Sequence, residues 1–132
     1  MYLIFDTETT GLPKNFNAPV DDLDNWPRVV QIAWQLHDAT GKLLEAGNRI
    51  VKPDGFVIPF NSEKIHGIST KRALEEGLDL KLVLEEFESA IDRAEVLIGH
   101  NIIGFDLMVV GAEHLRAGIQ SKMFDKDTCD TM

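Results

Sequence analysis

The spacing of hydrophobic and polar residues predicts a sheet that begins with three consecutive strands. Apolar and β-branched residues dominate Tyr2–Thr7, Val29–Leu36 and Leu43–Val51, which is typical of strands packed against a core. A polar turn over Asp38–Lys42 joins the second strand to the third, so the three are expected to form an antiparallel meander. The first two strands are separated by Leu12–Pro27, a segment rich in proline, asparagine and aspartate that predicts a long and functional loop.

The middle of the chain changes to helical spacing. After a turn at Lys52–Gly55, an extended loop is expected up to Ser69, which caps a short helix over Thr70–Glu76 that Gly77 closes. Asp79 is expected to cap a longer helix. Its apolar face is formed by Leu80, Val83, Leu84, Phe87, Ile91 and Ala94.

The last third predicts a return to the sheet. Glu95–Gly99 reads as a short buried strand, Gly104–Ala117 as a helix that stops at Gly118, and Lys122–Met132 as the start of one more strand. The inner side of that helix is expected to carry Phe105, Met108, Val109, Ala112 and Leu115. The element order predicts an α/β fold with a mixed sheet and helices against it, in a single domain over residues 1–132.

The composition fits one globular domain. The chain has 132 residues, of which 44% are hydrophobic and 27% charged, enough to bury a core. It has no apolar run of about 18 residues and no basic, cleavable start, so we expect neither a membrane span nor a signal peptide. The single cysteine, Cys129, cannot form an internal disulfide, which is compatible with the expected cytoplasmic location.

The net charge of −9 limits the nucleic-acid functions that fit. Proteins that gain affinity by neutralising many phosphates are usually basic, so extended coating of DNA is not expected. An enzyme that holds a few terminal nucleotides through metal ions is compatible, because bound cations reverse the local field. The charge therefore argues against an architectural protein more than against a nuclease.

Asp6 and Glu8 lie two residues apart at the end of the first strand, so their carboxylates share one face. Like charges this close repel unless one protonates or a cation neutralises both, and their oxygens suit Mg²⁺ or Mn²⁺. Thr9, Thr10 and Gly11 follow, and such small residues let the backbone approach a ligand closely. The alternative is a pair of surface acids, and the short pattern alone does not decide between the two.

A second polar group follows the predicted strand Glu95–Gly99. Asn101 lies where an N-cap is expected, and Asp106 lies near the first turn of the next helix. A merely well-capped helix would show the same residues. If this strand runs parallel to the first one, however, Asp106 comes next to Asp6 and Glu8, because the carboxyl ends of parallel strands share one edge.

These segments together resemble a known family. Phe5–Gly11, His66–Ser69 and His100–Asp106 resemble, in order and spacing, motifs of the DEDD superfamily of 3′–5′ exonucleases, in particular the proofreading DnaQ-like epsilon subunits of bacterial DNA polymerase III. The resemblance covers essentially the whole chain. It implies a ribonuclease H-like fold, with a three-strand meander plus parallel strands and flanking helices, and hydrolysis of terminal phosphodiester bonds of DNA.

The resemblance also implies a role for each site residue. Asp6, Glu8 and Asp106 are implied as catalytic ligands of two Mg²⁺ or Mn²⁺ ions, with Asp6 bridging them. A DNA 3′ end, single-stranded or frayed, is the implied substrate and a DNA polymerase subunit an implied partner. Contacts to the terminal nucleotide are implied for Thr9, Thr10, Gly11, His66, Ile68, Asn101 and Phe105.

The sequence departs from the family pattern after Asp106. The family carries a third motif with a fourth carboxylate and a His or Tyr general base, and no histidine followed five residues later by aspartate occurs here. Asp127 and Asp130 are expected to be strand-flanking acids rather than that ligand. The interpretation is an N-terminal portion of an exonuclease domain, with its C-terminal part missing and weak or no activity by itself.

Two other functions stay open at this stage. One is an RNA-trimming exonuclease of the same superfamily, because these motifs do not separate DNA from RNA. The other is a catalytically silent scaffold in replication or repair. For Trp26, core packing and base stacking are equally open, whereas Trp34 is expected in the core. The remaining candidates, which are expected at the solvated surface, are His37, His114, Glu85, Glu86 and Glu88.

Overall fold

A computed structural model describes residues 1–132 and shows a five-stranded sheet with helices packed against it. The strands are β1 (Tyr2–Thr9), β2 (Val29–His37), β3 (Leu43–Ile50), β4 (Val96–Gly99) and β5 (Asp127–Asp130). The helices are α1 (Phe60–His66), α2 (Thr70–Glu76), α3 (Leu80–Arg93) and α4 (Leu107–Ala117). A π-helical turn over Ile102–Asp106 leads into α4, and a 3₁₀ turn over Met123–Asp125 precedes β5.

The strands are arranged in the order β3-β2-β1-β4-β5. β1 pairs antiparallel with β2, and β2 with β3, which forms the predicted meander. β4 pairs parallel with β1 through Tyr2 opposite Val96, and β5 pairs parallel with β4. The predicted mixed sheet with flanking helices is therefore confirmed, and β5 confirms the further strand near the end of the chain.

The core lies between one face of the sheet and the helices α3 and α4. The predicted apolar face of α3 is largely buried, and Phe87 contacts the rings of Phe5 and Trp34 at centroid distances of 5.2 and 5.3 Å. Gly47 of β3 makes room for the Trp34 ring, since a Cβ atom there would lie 2.2 Å from it. The opposite face of the meander is open: Ile4 stays 40% exposed beside a groove of about 650 Å³ that also borders Asp6.

One helix was not predicted. Residues Phe60–His66 form α1 inside the segment expected to be an extended loop. Only Ser62 of this helix is buried, while Phe60 and Ile65 are exposed, so α1 has no apolar face for hydrophobic spacing to reveal. No helix of the chain is long and apolar enough to cross a membrane.

The predicted helix ends are partly confirmed. The Ser69 hydroxyl accepts a hydrogen bond from the Arg72 N–H at 3.0 Å, and Gly77 ends α2 as expected. Asp79 and Asn101 occupy the N-cap positions, but neither side chain makes the capping hydrogen bond. Gly118 ends α4 in the left-handed conformation, with φ of 70°.

Several surface expectations were wrong. His114 is 2% exposed, because its Nδ1–H donates to the Val110 carbonyl at 2.9 Å and its Nε2 lies 3.3 Å from Glu88. Glu88 accepts hydrogen bonds from the Ser121 hydroxyl and the Lys122 N–H, so it is not a solvated side chain. Burial by itself would raise the pKa of Glu88, but its hydrogen bonds and the proximity of His114 outweigh the effect of burial and lower the pKa.

The two tryptophans are both packed inside, each 3% exposed. The indole N–H of Trp26 donates to the Pro19 carbonyl at 2.9 Å, so this ring holds the β1–β2 loop together and presents no face for base stacking. Trp34 lies in the core, as predicted. Leu115, predicted on the inner side of α4, is 49% exposed instead.

Candidate active site

The carboxylates of Asp6 and Glu8 emerge from the end of β1 on one face of the strand. Leu3, Phe5 and Thr7 alternate with them and are buried. Asp6 is exposed and Glu8 is partly buried. Burial raises the pKa of Glu8, the negative charge of Asp6 raises it further, and His66 opposes both effects. The two acids therefore repel each other, as the sequence predicted for a pair that lacks a cation.

Asp106 reaches β1 from the π-helical turn. Its carboxylate accepts a hydrogen bond from the Thr7 N–H at 3.2 Å and another from the Thr7 hydroxyl. The side chain is 4% exposed. Burial raises the pKa of Asp106 to about 6, the charge of Asp6 adds to the rise, and the hydrogen bonds from Thr7 oppose it. The parallel pairing of β4 with β1 thus brings Asp106 to the strand that carries Asp6 and Glu8.

The three carboxylates influence one another electrostatically, but they are not arranged as a preformed metal site. The charge of Asp6 raises the pKa of both Glu8 and Asp106. No group of three His, Cys, Asp or Glu side chains is arranged to hold a metal ion, and Asp106 is engaged with Thr7, whose side chain alternates with those of the other two acids. Carboxylate oxygens and unrelieved negative charge nevertheless match the chemistry of a hard divalent cation.

The residues after Glu8 form a tight turn. The Thr9 hydroxyl donates to the Gly11 carbonyl at 2.8 Å, and the Gly11 N–H donates back to it at 3.3 Å. Thr10 is held on three sides: its N–H donates to the Arg28 carbonyl, its hydroxyl accepts from the Arg28 N–H, and its carbonyl accepts from Ser62. The Ser62 bond joins this turn to α1.

His66 lies at the end of α1 and acts on Glu8. Its Nδ1 accepts a hydrogen bond from the Ile68 N–H at 3.1 Å, which places the proton of the neutral ring on Nε2. That Nε2 is enclosed and has no hydrogen-bond partner in the protein. Ile68 is 2% exposed and packs with Val30, Ile58 and Ala73. The structure therefore brings His66 to the site and places the Ile68 side chain in a separate small core.

Asn101 and Phe105 belong to the turn that delivers Asp106. Asn101 has a left-handed backbone with φ of 56°, the one positive φ outside glycine, which asparagine tolerates better than most residues. Its N–H donates to Asp130 at 2.8 Å, and the Ile103 N–H donates to the same carboxylate at 3.1 Å. The Phe105 side chain is half-buried against the main core.

Sequence reasoning missed three residues that hold this site together. They are Thr7, which binds Asp106, Asp130 of β5, which binds the π-helical turn, and Glu113 of α4, which binds Arg28. An acid at the end of β5 was visible in the sequence, but its target was not. Glu113 had a weaker signal, since a charged residue on the inner side of an apolar helix needs partners.

A family model described as "Exonuclease" (RNase_T) matches residues 3–132. The chain therefore belongs to this exonuclease family. A comparison with curated protein sequences found no significant match.

Solved structures of exonuclease I are similar to this chain. E. coli exonuclease I with a dT13 oligonucleotide has a TM-score of 0.78 and 21% identity over 98% of this chain and 27% of that one. The zinc-bound complex of the E. coli enzyme with single-stranded DNA has a TM-score of 0.77 and 21% identity, over 98% and 27%. Product-bound exonuclease I has a TM-score of 0.77 and 21% identity, over 98% and 29%.

These TM-scores show a shared ribonuclease H-like fold. The chain spans less than a third of the length of these proteins.

Proposed function

We propose that this chain is a metal-dependent 3′–5′ exonuclease domain that hydrolyses terminal phosphodiester bonds of DNA, of the proofreading or repair type found in epsilon subunits of bacterial DNA polymerase III. Membership of the exonuclease family supports hydrolysis of nucleic acid. The observation that carries the proposal is the binding of Asp106 to Thr7, the residue between Asp6 and Glu8. It attaches a third carboxylate to the strand that carries the pair, which supports the proposal that the three act together.

Asp6 and Glu8 are the proposed direct metal ligands, and Asp106 completes the acidic set. Burial and the negative charge of Asp6 raise the pKa values of Glu8 and Asp106, and a bound divalent cation would offset both effects. Mg²⁺ or Mn²⁺, two ions in the complete enzyme, would supply an activated water and stabilise the leaving 3′ oxygen. Asp6, Glu8 and Asp106 would hold these cations, and the cations would bind the terminal phosphate of the substrate.

The terminal nucleotide is proposed to bind between the turn after β1 and the end of α1. The turn of Thr9, Thr10 and Gly11, which is held by hydrogen bonds within the protein, is proposed to form one side of this site. The Nε2–H of His66 is an unused donor there. Asn101 and Phe105 border the opposite side through the turn that carries Asp106. A buried donor without a partner costs free energy, so a substrate oxygen at His66 would be favoured.

We further propose that residues 1–132 belong to one exonuclease domain and that they hydrolyse DNA slowly by themselves. No group of three ligands is preassembled, and the only histidine after Asp106 is His114, which is buried in α4. No exposed histidine therefore follows Asp106 that could serve as the general base of the family pattern. A cytoplasmic location and a DNA polymerase subunit as partner stay predictions.

The test is degradation of single-stranded DNA labelled at its 5′ end, with Mn²⁺ or Mg²⁺ and with EDTA. We expect a slow metal-dependent ladder shortening from the 3′ end, which Asp6→Ala abolishes. Asp21→Ala, an exposed acid of the β1–β2 loop, is the matched control and should keep the ladder. Thermal denaturation with Mn²⁺ should show stabilisation of the wild type and of Asp21→Ala but not of Asp6→Ala.

Each alternative gives a different result in the same assay. Faster shortening of RNA than of DNA would favour an RNA-trimming enzyme. Metal-independent or absent degradation, without stabilisation by Mn²⁺, would contradict the nuclease proposal and favour a silent scaffold. A rate equal to that of a complete exonuclease would contradict the proposed slow activity.

A further inference from the structure

Glu113 lies in α4, seven residues after Asp106, and its carboxylate has no exposed surface. Its Oε1 accepts hydrogen bonds from Arg28 Nε at 2.9 Å and Arg116 Nη1 at 2.7 Å. Its Oε2 accepts from the Val29 N–H at 3.0 Å. Both oxygens are therefore used, and two guanidinium groups balance the buried charge.

These bonds fix the return of the β1–β2 loop onto α4. Arg116 also donates to the carbonyls of Leu23 and Trp26 at 2.5 and 2.9 Å. The Arg28 guanidinium lies 4.5 Å from the centre of the Phe56 ring, a distance typical of a cation–π contact. The last residues of the loop are thus attached to the helix by side chains that converge on one carboxylate.

Arg28 passes this attachment to the turn after β1. Its carbonyl accepts the Thr10 N–H at 2.9 Å, and its N–H donates to the Thr10 hydroxyl at 3.0 Å. The Thr10 carbonyl accepts from Ser62 of α1 at 2.6 Å, the helix that ends at His66. A continuous set of hydrogen bonds therefore runs from Glu113 through Arg28 to the backbone proposed to hold the terminal nucleotide.

Stability alone gives little reason for a buried charge here. Replacing a buried ion pair with well-packed apolar residues is often neutral or stabilising. An apolar side chain at position 113 would pack α4 against the core, but it would accept no bond from Arg28 or Val29. The Glu113 carboxylate fixes the position of Arg28, and the backbone of Arg28 in turn fixes the position of Thr10.

We propose that Glu113 is a positioning residue that fixes the Thr10 backbone for binding of the DNA 3′ end. This inference rests on the proposed exonuclease function. Glu113 acts through Arg28 and contacts no substrate itself.

The test compares Glu113→Gln with Glu88→Gln, a partly buried carboxylate of α3 that accepts bonds from Ser121 and Lys122 and not from the loop. Glutamine at 113 cannot accept all three bonds, because its NH₂ group only donates. We expect amide hydrogen exchange at Thr10 and Val29 to become roughly tenfold faster in Glu113→Gln and unchanged in Glu88→Gln.

With Mn²⁺ and a short 5′-labelled oligothymidylate, KM should rise about tenfold in Glu113→Gln while kcat and the Mn²⁺ affinity stay near wild type. Arg28→Lys, which keeps the charge but not the guanidinium, should show the same pattern more weakly, and it replaces Glu113→Gln if that variant does not fold.

Unchanged exchange at Thr10, or equal effects of Glu88→Gln, would overturn the positioning role. Faster exchange with an unchanged KM would also overturn it. Absence of any Mn²⁺-dependent hydrolysis by the wild type would instead contradict the exonuclease function. If the wild type does hydrolyse DNA above background, a negative result for Glu113→Gln contradicts only the positioning role.

Discussion

Asp106 accepts hydrogen bonds from both the backbone N–H and the hydroxyl of Thr7, although 99 positions separate the two residues. Thr7 itself lies between Asp6 and Glu8. These bonds explain how a turn late in the chain adds a carboxylate to the first strand. The buried Thr7 hydroxyl fixes the position of the Asp106 carboxylate.

Thr7→Val should weaken this attachment. Valine keeps the shape of threonine but removes the hydroxyl donor, so we expect a loss of roughly 1–2 kcal/mol in the free energy of unfolding and weaker Mn²⁺ binding. Chemical denaturation and calorimetric titration with Mn²⁺ measure the two effects. Thr128→Val, the same change at an exposed position of β5, is the control and should alter neither. Unchanged stability of Thr7→Val would contradict the role of the bond.

The buried Asp106 should make the metal-free protein less stable as the pH rises. Its pKa is raised from 3.8 to about 6, so the unfolded state loses this proton at a lower pH than the folded state. The contribution of Asp106 to stability is complete below pH ~4 and is lost on the way to pH ~6, by an amount on the order of 3 kcal/mol.

Asp106→Asn should not show this loss, because asparagine stays neutral and its carbonyl oxygen can accept both bonds from Thr7. Denaturation in EDTA at several pH values should find the variant more stable than wild type at pH 7, with the difference disappearing near pH 4. Asp125→Asn, at an exposed acid, is the control. A difference that stays constant with pH would show that Asp106 does not titrate as described.

His66→Ala should separate nucleotide binding from metal binding. The variant loses the unpartnered Nε2–H, so we expect a dinucleotide to bind several-fold more weakly in Mn²⁺, by roughly the value of one hydrogen bond. Mn²⁺ affinity without nucleotide should change little. His37→Ala is the matched control, since His37 stacks on Tyr2 and hydrogen-bonds the Gly41 carbonyl. Equal nucleotide affinity in both variants would contradict a substrate contact at His66.

Asp130→Ala should loosen the turn that carries Asp106. Three backbone N–H groups, of Met132, Ile103 and Asn101, hold the pKa of Asp130 below its usual value. Without the carboxylate, amide exchange at Asn101 and Ile103 should become about tenfold faster, and Mn²⁺ binding should weaken. Asp127→Ala, on the same strand with an exposed side chain, should leave both unchanged. Slow exchange at Asn101 in Asp130→Ala would show that the turn is held by other contacts.

The sequence was sufficient for the parts of the fold that follow from periodic burial. The meander and the apolar face of α3 follow from alternating or helical spacing. The parallel pairing of β4 with β1 was only a condition in the sequence analysis, and the structure supplies it. α1 was invisible because only Ser62 in it is buried. His114 was wrongly predicted at the surface because the sequence does not show that the Val110 carbonyl and the Glu88 carboxylate lie next to its ring in the interior.

The site divides in the same way. Asp6 and Glu8 were proposed as ligands because two acids at the end of a buried strand are unusual, and Asp106 was proposed because it follows the strand expected to lie beside them. The residues that hold them, Thr7 and Asp130, were not found, because their partners lie 99 and 29 positions away and depend on strand register. Hydrophobic pattern and turn geometry set the register of strands joined by short turns, but they do not say which distant segments of the chain come to lie side by side.

α4 follows directly on Asp106 and carries Glu113 two turns later. Seven residues at 1.5 Å each span about 10 Å, and each residue turns the helix by about 100°. Inserting or deleting one amino acid between these positions would swing Glu113 away from Arg28 while Asp106 stayed against Thr7. Chain length in this stretch is therefore under a stricter geometric constraint than side-chain identity, and variants of this domain should exchange residues there far more readily than they gain or lose them.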